Sequence, residues 1–264
     1  MSSTQQSRLK VQVEPPESPS MARGLIVTID GPAGTGKSTV AHRLAQRLKV
    51  EFLDTGAMYR AAALLSIERG VEPHEGRALA EVLREADLHF DWSVDPPRLM
   101  LAGRDVAQRV RDGDVSSRVS MVAKQSEVRA VLVAQQRQIA RLHPRLVTEG
   151  RDQGSVVFPD APVRFYLDAR AEVRAARRCE QLAAMGKAVD RGAVLNEILS
   201  RDQLDSTRAD APLIKPEGAI HIDTSQLSLD AVVDRLESET ARALRARGLE
   251  SLLAKESGPE AAPQ

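Results

Sequence analysis

From Gly24 onward, short aliphatic runs alternate with longer stretches whose apolar residues recur every three or four positions. Gly24–Ile29 (GLIVTI) is aliphatic and β-branched nearly throughout, as a parallel strand covered on both faces requires. Beyond DGPAGTGKST, Val40, Leu44 and Leu48 fall at helical spacing. Val50–Leu53 predicts a second strand that ends at Asp54. Helices are expected from about Gly56 to Glu68, stopped by Gly70, and from about Glu75 to Ala86. Residues 88–114 break the rhythm. LHFDWSV alternates, Asp95-Pro96-Pro97 turns the chain, and RLMLAGRDV returns with Gly103 at a bend, which predicts an antiparallel hairpin. Trp92 is expected to pack within it. One long helix is expected from about Ser117 to Leu142, then strands at 145–148 and at 163–167, the latter closed by Asp168. Helices at about 170–185 and 191–204, a strand at 219–222 closed by Asp223, and a helix at about 228–252 complete the pattern. Asp168 and Asp223 are expected to cap the helices that follow them. Such alternation implies a three-layer α/β fold: a central parallel sheet with helices on both faces and a small antiparallel region inserted.

The 264 residues suit one large domain. Residues 1–22 are polar and carry Pro15, Pro16 and Pro19, and are expected to be a disordered tail, as are residues 251–264. Neither a leader sequence nor a run long enough for a membrane helix is visible. A single cysteine, Cys179, forbids an internal disulfide and makes the cytoplasm the expected compartment. On its predicted helix, Cys179 reads as a small filler. Lys plus Arg and Asp plus Glu are both 37, which argues against a protein that coats nucleic acid. The balance conceals a bias, because only seven of those cations are lysine. Most of the arginine excess reads as compositional background, yet arginine is also the residue that grips phosphate through a rigid fork of donors.

Gly31-Pro32-Ala33-Gly34-Thr35-Gly36-Lys37-Ser38, followed by Thr39, fits G-x-x-x-x-G-K-[ST] between a strand and a helix, where that motif must sit. The glycines let successive N–H groups face one concavity, and the helix start adds its positive dipole end. The motif assigns the polyphosphate of ATP to residues 31–39, Lys37 to its β and γ phosphates, and Ser38 to Mg²⁺. No Asp-x-x-Gly is present, and the only asparagine, Asn196, precedes Glu, so a guanine-nucleotide switch is excluded. A motor or transporter ATPase would need more chain and a long aliphatic strand ending in an acid, and no strand here has one, RLVTE at 145–149 coming closest. A small kinase acting on a metabolite is the remaining class. Two further readings stay open: a small kinase for another acceptor, and a nucleotide-binding module without transfer.

Charged clusters beyond the strand ends narrow the acceptor. DTGAMYR at 54–60 and EGRD at 149–152 follow strands, where ligands of open α/β sheets bind. Arg201-Asp202-x-x-Asp205-x-x-Arg208 ends one helix, and Arg174, Arg177 and Arg178 crowd another. An acceptor that is itself a phosphate ester needs such cations, since two polyanions must meet.

These motifs together resemble the bacterial cytidylate kinases, a family of P-loop nucleoside-monophosphate kinases. The likeness rests on IDGPAGTGKST at 29–39, LDTGAMYRA at 53–61, EGRDQGSVVFPDAPV at 149–163, RDQLDSTRADAPL at 201–213 and IDTSQLSLDAVV at 222–233. It implies ATP-dependent phosphorylation of CMP and dCMP with Mg²⁺, by a monomer. It divides residues 23–250 into a core, a monophosphate-binding insertion at about 55–140 and a lid at about 174–208. Thr55, Arg60, Arg151 and Arg208 would hold the acceptor phosphate, and Ser120, Arg129 and Asp152 would read the cytosine. Arg201 and Asp205 would hold the sugar. Lys37, Arg60, Arg151 and Arg208 would form the catalytic set, with Arg174, Arg177 and Arg178 in or beside the lid. Without the resemblance, Ser120 and Arg129 would read as helix surface. Thr55 stands where many relatives have serine, and Glu149 where others have aspartate.

Overall fold

The computed structural model describes residues 24–253 apart from position 185. Both terminal tail readings therefore fall almost wholly outside the described residues. Five strands, β1 (Leu25–Asp30), β2 (Glu51–Asp54), β6 (Arg145–Gly150), β7 (Val163–Asp168) and β8 (Ile220–Asp223), form one parallel sheet in the order β2-β6-β1-β7-β8. Strands β3 (Leu88–Asp91), β4 (Arg98–Leu101) and β5 (Arg104–Asp105) form a separate antiparallel sheet. The β4–β5 turn uses Ala102 and Gly103, both at positive φ (49° and 72°), the pairing that matches the twist of a two-residue hairpin. Trp92 packs near Phe90 and stacks on His143 at 3.9 Å, so it ties the small sheet to the main body.

Helix α1 (Lys37–Leu48) covers one face of the main sheet together with α8 (Leu229–Ala246). Helices α2 (Thr55–Arg69), α3 (Gly76–Glu85), α4 (Gly113–Val122) and α5 (Ser126–Leu142) build the core of the other face. Helices α6 (Ala171–Ala184) and α7 (Arg191–Ser206) pack on each other through Ala175, Val194 and Ile198, with Cys179 filling space among them.

The period of two along β1 organises the site. Leu25, Val27 and Ile29 face α1 and α8 and are completely buried. Ile26, Thr28 and Asp30 face the other way, so that face turns polar toward the carboxyl end of the strand. Its neighbour β6 runs in register, with Thr28 opposite Thr148 and Asp30 opposite Gly150. One face of the sheet end thus presents Glu149 to α1, and the other presents Asp30 and Thr148 to the chain that follows β6.

Three expectations are corrected. The predicted helix at 117–142 is two helices broken at residues 123–125, because α4 follows α2 while α5 follows α3. Among the described residues, neither Asp168 nor Asp223 bonds an amide of the helix that follows it. Asp223 accepts from the Ser225 amide and Asp168 from the Ala169 amide, while Ser228 caps α8 by accepting from Ala231 at 3.2 Å. Helix α8 stops at Ala246 beside Gly248 (φ 67°), and residues 250–253 form one further turn whose Leu252 carbonyl accepts from Arg145 at 2.8 Å.

Candidate active site

The phosphate loop is built as its sequence requires. Gly31 has φ 150°, and a β-carbon there would stand 2.0 Å from the Leu167 carbonyl oxygen. Only glycine lets β1 leave the sheet so close to β7. Gly34, at φ 78°, passes against Arg174. Gly36 caps α1 without a side-chain acceptor, which leaves the first-turn amides of the helix to face an anion. Pro32, Ala33 and Thr35 are buried along the loop, while Gly34 and Thr39 are exposed. Thr35 donates to the Pro32 carbonyl.

Lys37 donates to the Pro32 carbonyl at 2.7 Å. Burial, and then the nearby charge of Arg151, pull its ammonium down to about 7, against the pull of Glu149 and Asp30. Ser38 donates to Glu149 Oε1 at 2.6 Å. Burial and then Asp54 raise the Glu149 carboxyl, with Lys37 and the Ser38 hydrogen bond opposing. A hydroxyl and a carboxylate side by side at the loop suit Mg²⁺, which keeps water and phosphate as its other ligands. Among the described residues, no cluster of three His, Cys, Asp or Glu forms a metal cage.

The acceptor side gathers residues from four elements. Asp54 caps α2 by accepting from Ala57 at 2.8 Å, which starts the helix at the strand end. Thr55, one residue on, donates to the Glu149 carbonyl at 2.7 Å, and Arg60 lies half-buried a turn later, close over Gly56. Arg129 of α5 pairs with Asp152 in a nearly dry ion pair, and its guanidinium lies 5.6 Å from the centre of the Tyr59 ring. Arg151 donates to Asp205 of α7 at 2.9 Å. Arg208 donates to the Ala211 carbonyl at 2.7 Å.

These cations crowd one another. Burial and then Arg151 lower the Arg201 guanidinium to about 10, and burial and then Arg129 lower that of Arg208. Asp205, although burial would raise it, is held below its ordinary value by Arg151, Arg201 and Arg208. Buried donors on Arg201 (Nε), Arg208 (Nε) and the Tyr59 hydroxyl have no partner within the described protein. Half-buried and buried cations facing each other are unfavourable unless an anion joins them.

Not every predicted residue joins this cluster. Ser120 is half-exposed on α4, and no hydrogen bond links it to the cluster. The three arginines of α6 separate. Arg174 is buried and donates to the Ala33 carbonyl of the phosphate loop (3.0 Å), to the Ala169 carbonyl (2.8 Å) and to Asp202 (2.6 Å). Arg177 holds Thr224, and Arg178 is exposed. Sequence reasoning gave no role to Asp30, Asp202 or the glutamines 136 and 153. Asp30, Asp202 and Gln153 lay inside the motifs, Asp30 as a carboxylate ending an aliphatic strand just before the loop, while Gln136 left no signal.

Fold and site together define a P-loop phosphotransferase whose acceptor side is built for a phosphate ester. Sequence comparison with known proteins agrees. A family profile described as Cytidylate kinase matches residues 27–242. The cytidylate kinase of Corynebacterium glutamicum is 47% identical over 217 residues, covering 81% of this chain and 94% of its own length. That of Caldanaerobacter subterraneus is 45% identical over 210 residues, covering 80% and 92%. A gluconokinase from Sinorhizobium meliloti, a solved structure, aligns at TM-score 0.44 and 15% identity over 87% of this chain and 98% of its own. The chain belongs to the cytidylate kinase family.

Proposed function

We propose that this enzyme transfers the γ-phosphoryl group of ATP to CMP and dCMP, giving ADP and the cytidine or deoxycytidine diphosphate. The observation that carries the acceptor side of this reading is the convergence of Arg60, Arg151, Arg201 and Arg208 beyond the sheet end, where burial and then repulsion from Arg151 and Arg60 lower Arg201, and buried Nε donors of Arg201 and Arg208 have no partner within the described protein. A dianionic acceptor phosphate relieves that repulsion. ATP lies along residues 31–39, with Lys37 on its β and γ phosphates. Ser38 and Glu149 would hold Mg²⁺, which would supply positive charge to the polyphosphate.

Transfer of this kind needs positioning and charge stabilisation and little else. Thr55, Arg60, Arg151 and Arg208 hold the acceptor phosphate, which is already an anionic nucleophile and needs no base. Asp152 accepts from the exocyclic amine of cytosine, and Arg129 donates to the ring acceptors and aims Asp152, with Ser120 at the edge of that pocket. Arg201 and Asp205 hold the sugar. Closing residues 174–208 as a lid over the insertion at 55–140 excludes water, so the phosphoryl group meets CMP rather than solvent. Arg174, tied to both Ala33 and Asp202, transmits that closure to the phosphate loop, and Arg177 and Arg178 lie beside it. Among the described residues no helix is long and apolar enough to cross a membrane, and we read the enzyme as a cytoplasmic monomer. An ADP-release assay with CMP, dCMP, UMP and AMP in parallel tests the assignment. Turnover with CMP and dCMP is expected to exceed the others, and equal use of AMP would refute it.

A further inference from the structure

The carboxylate of Asp30 lies outside every role assigned above. It ends β1, is fully buried, and precedes the first glycine of the phosphate loop. Its two oxygens accept from two consecutive amides across the sheet: Gln153 at 2.8 Å and Gly154 at 2.7 Å. Those amides begin a single widened turn in which Val157 and Phe158 donate five residues back, to Asp152 and Gln153. The first amides of such a turn have no partner within it, so Asp30 caps it from another element. Arg151 and Asp152 are the two residues just before that capped pair. Arg151 points to Asp205 and Asp152 to Arg129.

Behind the turn the same segment is held a second way. Thr148 donates to Gln153 Oε1 at 2.9 Å, and Gln153 Nε2 donates to Gln136 Oε1 at 3.1 Å. Gly154 is wedged so tightly that a β-carbon would come within 2.8 Å of the Thr28 hydroxyl. The 151–152 pair thus sits on a segment fixed by one carboxylate and one amide network. The carboxylate is continuous in chain with the phosphate loop.

We propose that Asp30 is a positioning residue for the acceptor. By holding the Gln153 and Gly154 amides it sets the aim of Arg151 and Asp152. This rests on the reading that Arg151 and Asp152 bind the monophosphate. Asn in place of Asp30 keeps the shape, but its amide nitrogen would face one of the two N–H donors and could not accept. The cost falls on the turn rather than on the substrate directly.

The test is steady-state kinetics of Asp30→Asn, alone and combined with Asp152→Ala. KM for CMP is expected to rise about 10–100-fold, the scale of a lost charge-assisted hydrogen bond, while KM for ATP shifts by less than about threefold. In the Asp152→Ala background the CMP effect of Asp30→Asn is expected to shrink strongly, because both act through one turn. An equal rise in both KM values, or the same fold-change in both backgrounds, overturns the proposal. Should Asp30→Asn fail to fold, Gly154→Ala displaces the same turn with Asp30 intact. A CMP-selective rise in KM supports the role, and an unchanged KM for CMP overturns it. Arg151→Ala and Asp152→Ala run in parallel. If neither weakens CMP use, the acceptor reading itself falls. If both do and Asp30→Asn does not, only the role of Asp30 falls.

Discussion

Arg129→Met separates stability from recognition at the Arg129–Asp152 pair. The two side chains are only 6% and 3% exposed, so solvent does not share the charge. Removing the arginine leaves Asp152 as a buried carboxylate without a cation, which costs about 3–5 kcal/mol. For a domain of this size each kcal/mol lowers the melting temperature by about 2–4 °C, so a drop of roughly 6–20 °C is expected. A second change, Asp152→Leu, removes the stranded charge. Two apolar groups of similar volume then fill the space, and most of the lost stability is expected to return. CMP turnover is not expected to return, because both groups assigned to the cytosine ring are gone. Thermal unfolding by circular dichroism and the ADP-release assay, run on wild type and on both variants, measure the two effects separately. A cost below about 1 kcal/mol for Arg129→Met would mean that the pair is hydrated, as surface pairs are. Near wild-type CMP turnover in the double variant would remove both residues from recognition and make the pair purely structural.

Four further outcomes are expected. Lys37→Ala lowers kcat about 10²–10³-fold, the usual loss for one preorganised positive group, with CMP binding retained; unchanged kcat would refute its role. Because burial and Arg151 hold Lys37 near 7 and phosphate favours its charged form, nucleotide binding between about pH 7 and pH 10 takes up a proton. Calorimetry at pH 8.5 in two buffers of different ionisation heat measures that uptake, which Lys37→Met abolishes. Gly31→Ala costs at least about 1–3 kcal/mol from its φ alone, before the clash with Leu167, and is expected to abolish nucleotide binding in a fluorescent-nucleotide titration. Glu149→Gln raises the Mg²⁺ concentration for half-maximal rate about 10–100-fold, which a metal titration at fixed ATP reads; an unchanged requirement would separate Glu149 from the metal.

Local rules made much of the scaffold legible. The aliphatic runs at Leu25–Ile29 and Phe52–Leu53 are strands because residues covered on both faces carry no polar alternation. Gly70 stops α2 at φ 64°, and the spacing of Gly31, Gly34 and Gly36 specifies the loop. The break between α4 and α5 was hidden. Val119, Val122, Val128 and Leu132 continue one apolar pattern, and only the separate docking of α4 on α2 and α5 on α3 interrupts it. Asp168 and Asp223 carried the right residue type for caps, but the chain leaves those strands by tight local turns.

The amino-acid order alone determined the strand–loop–helix chemistry of the ATP side, since a P-loop is local and its hydrogen bonds span a few residues. It also supplied the residues of the acceptor side, as motifs. The tertiary structure decided how those residues are paired. Arg129 with Asp152, Arg151 with Asp205, Ser38 with Glu149 and Asp30 with the 153–154 amides join positions 23 to 124 residues apart. Such pairs exist only because parallel strands in register bring their carboxyl ends to one edge, where burial makes each charge depend on its partner.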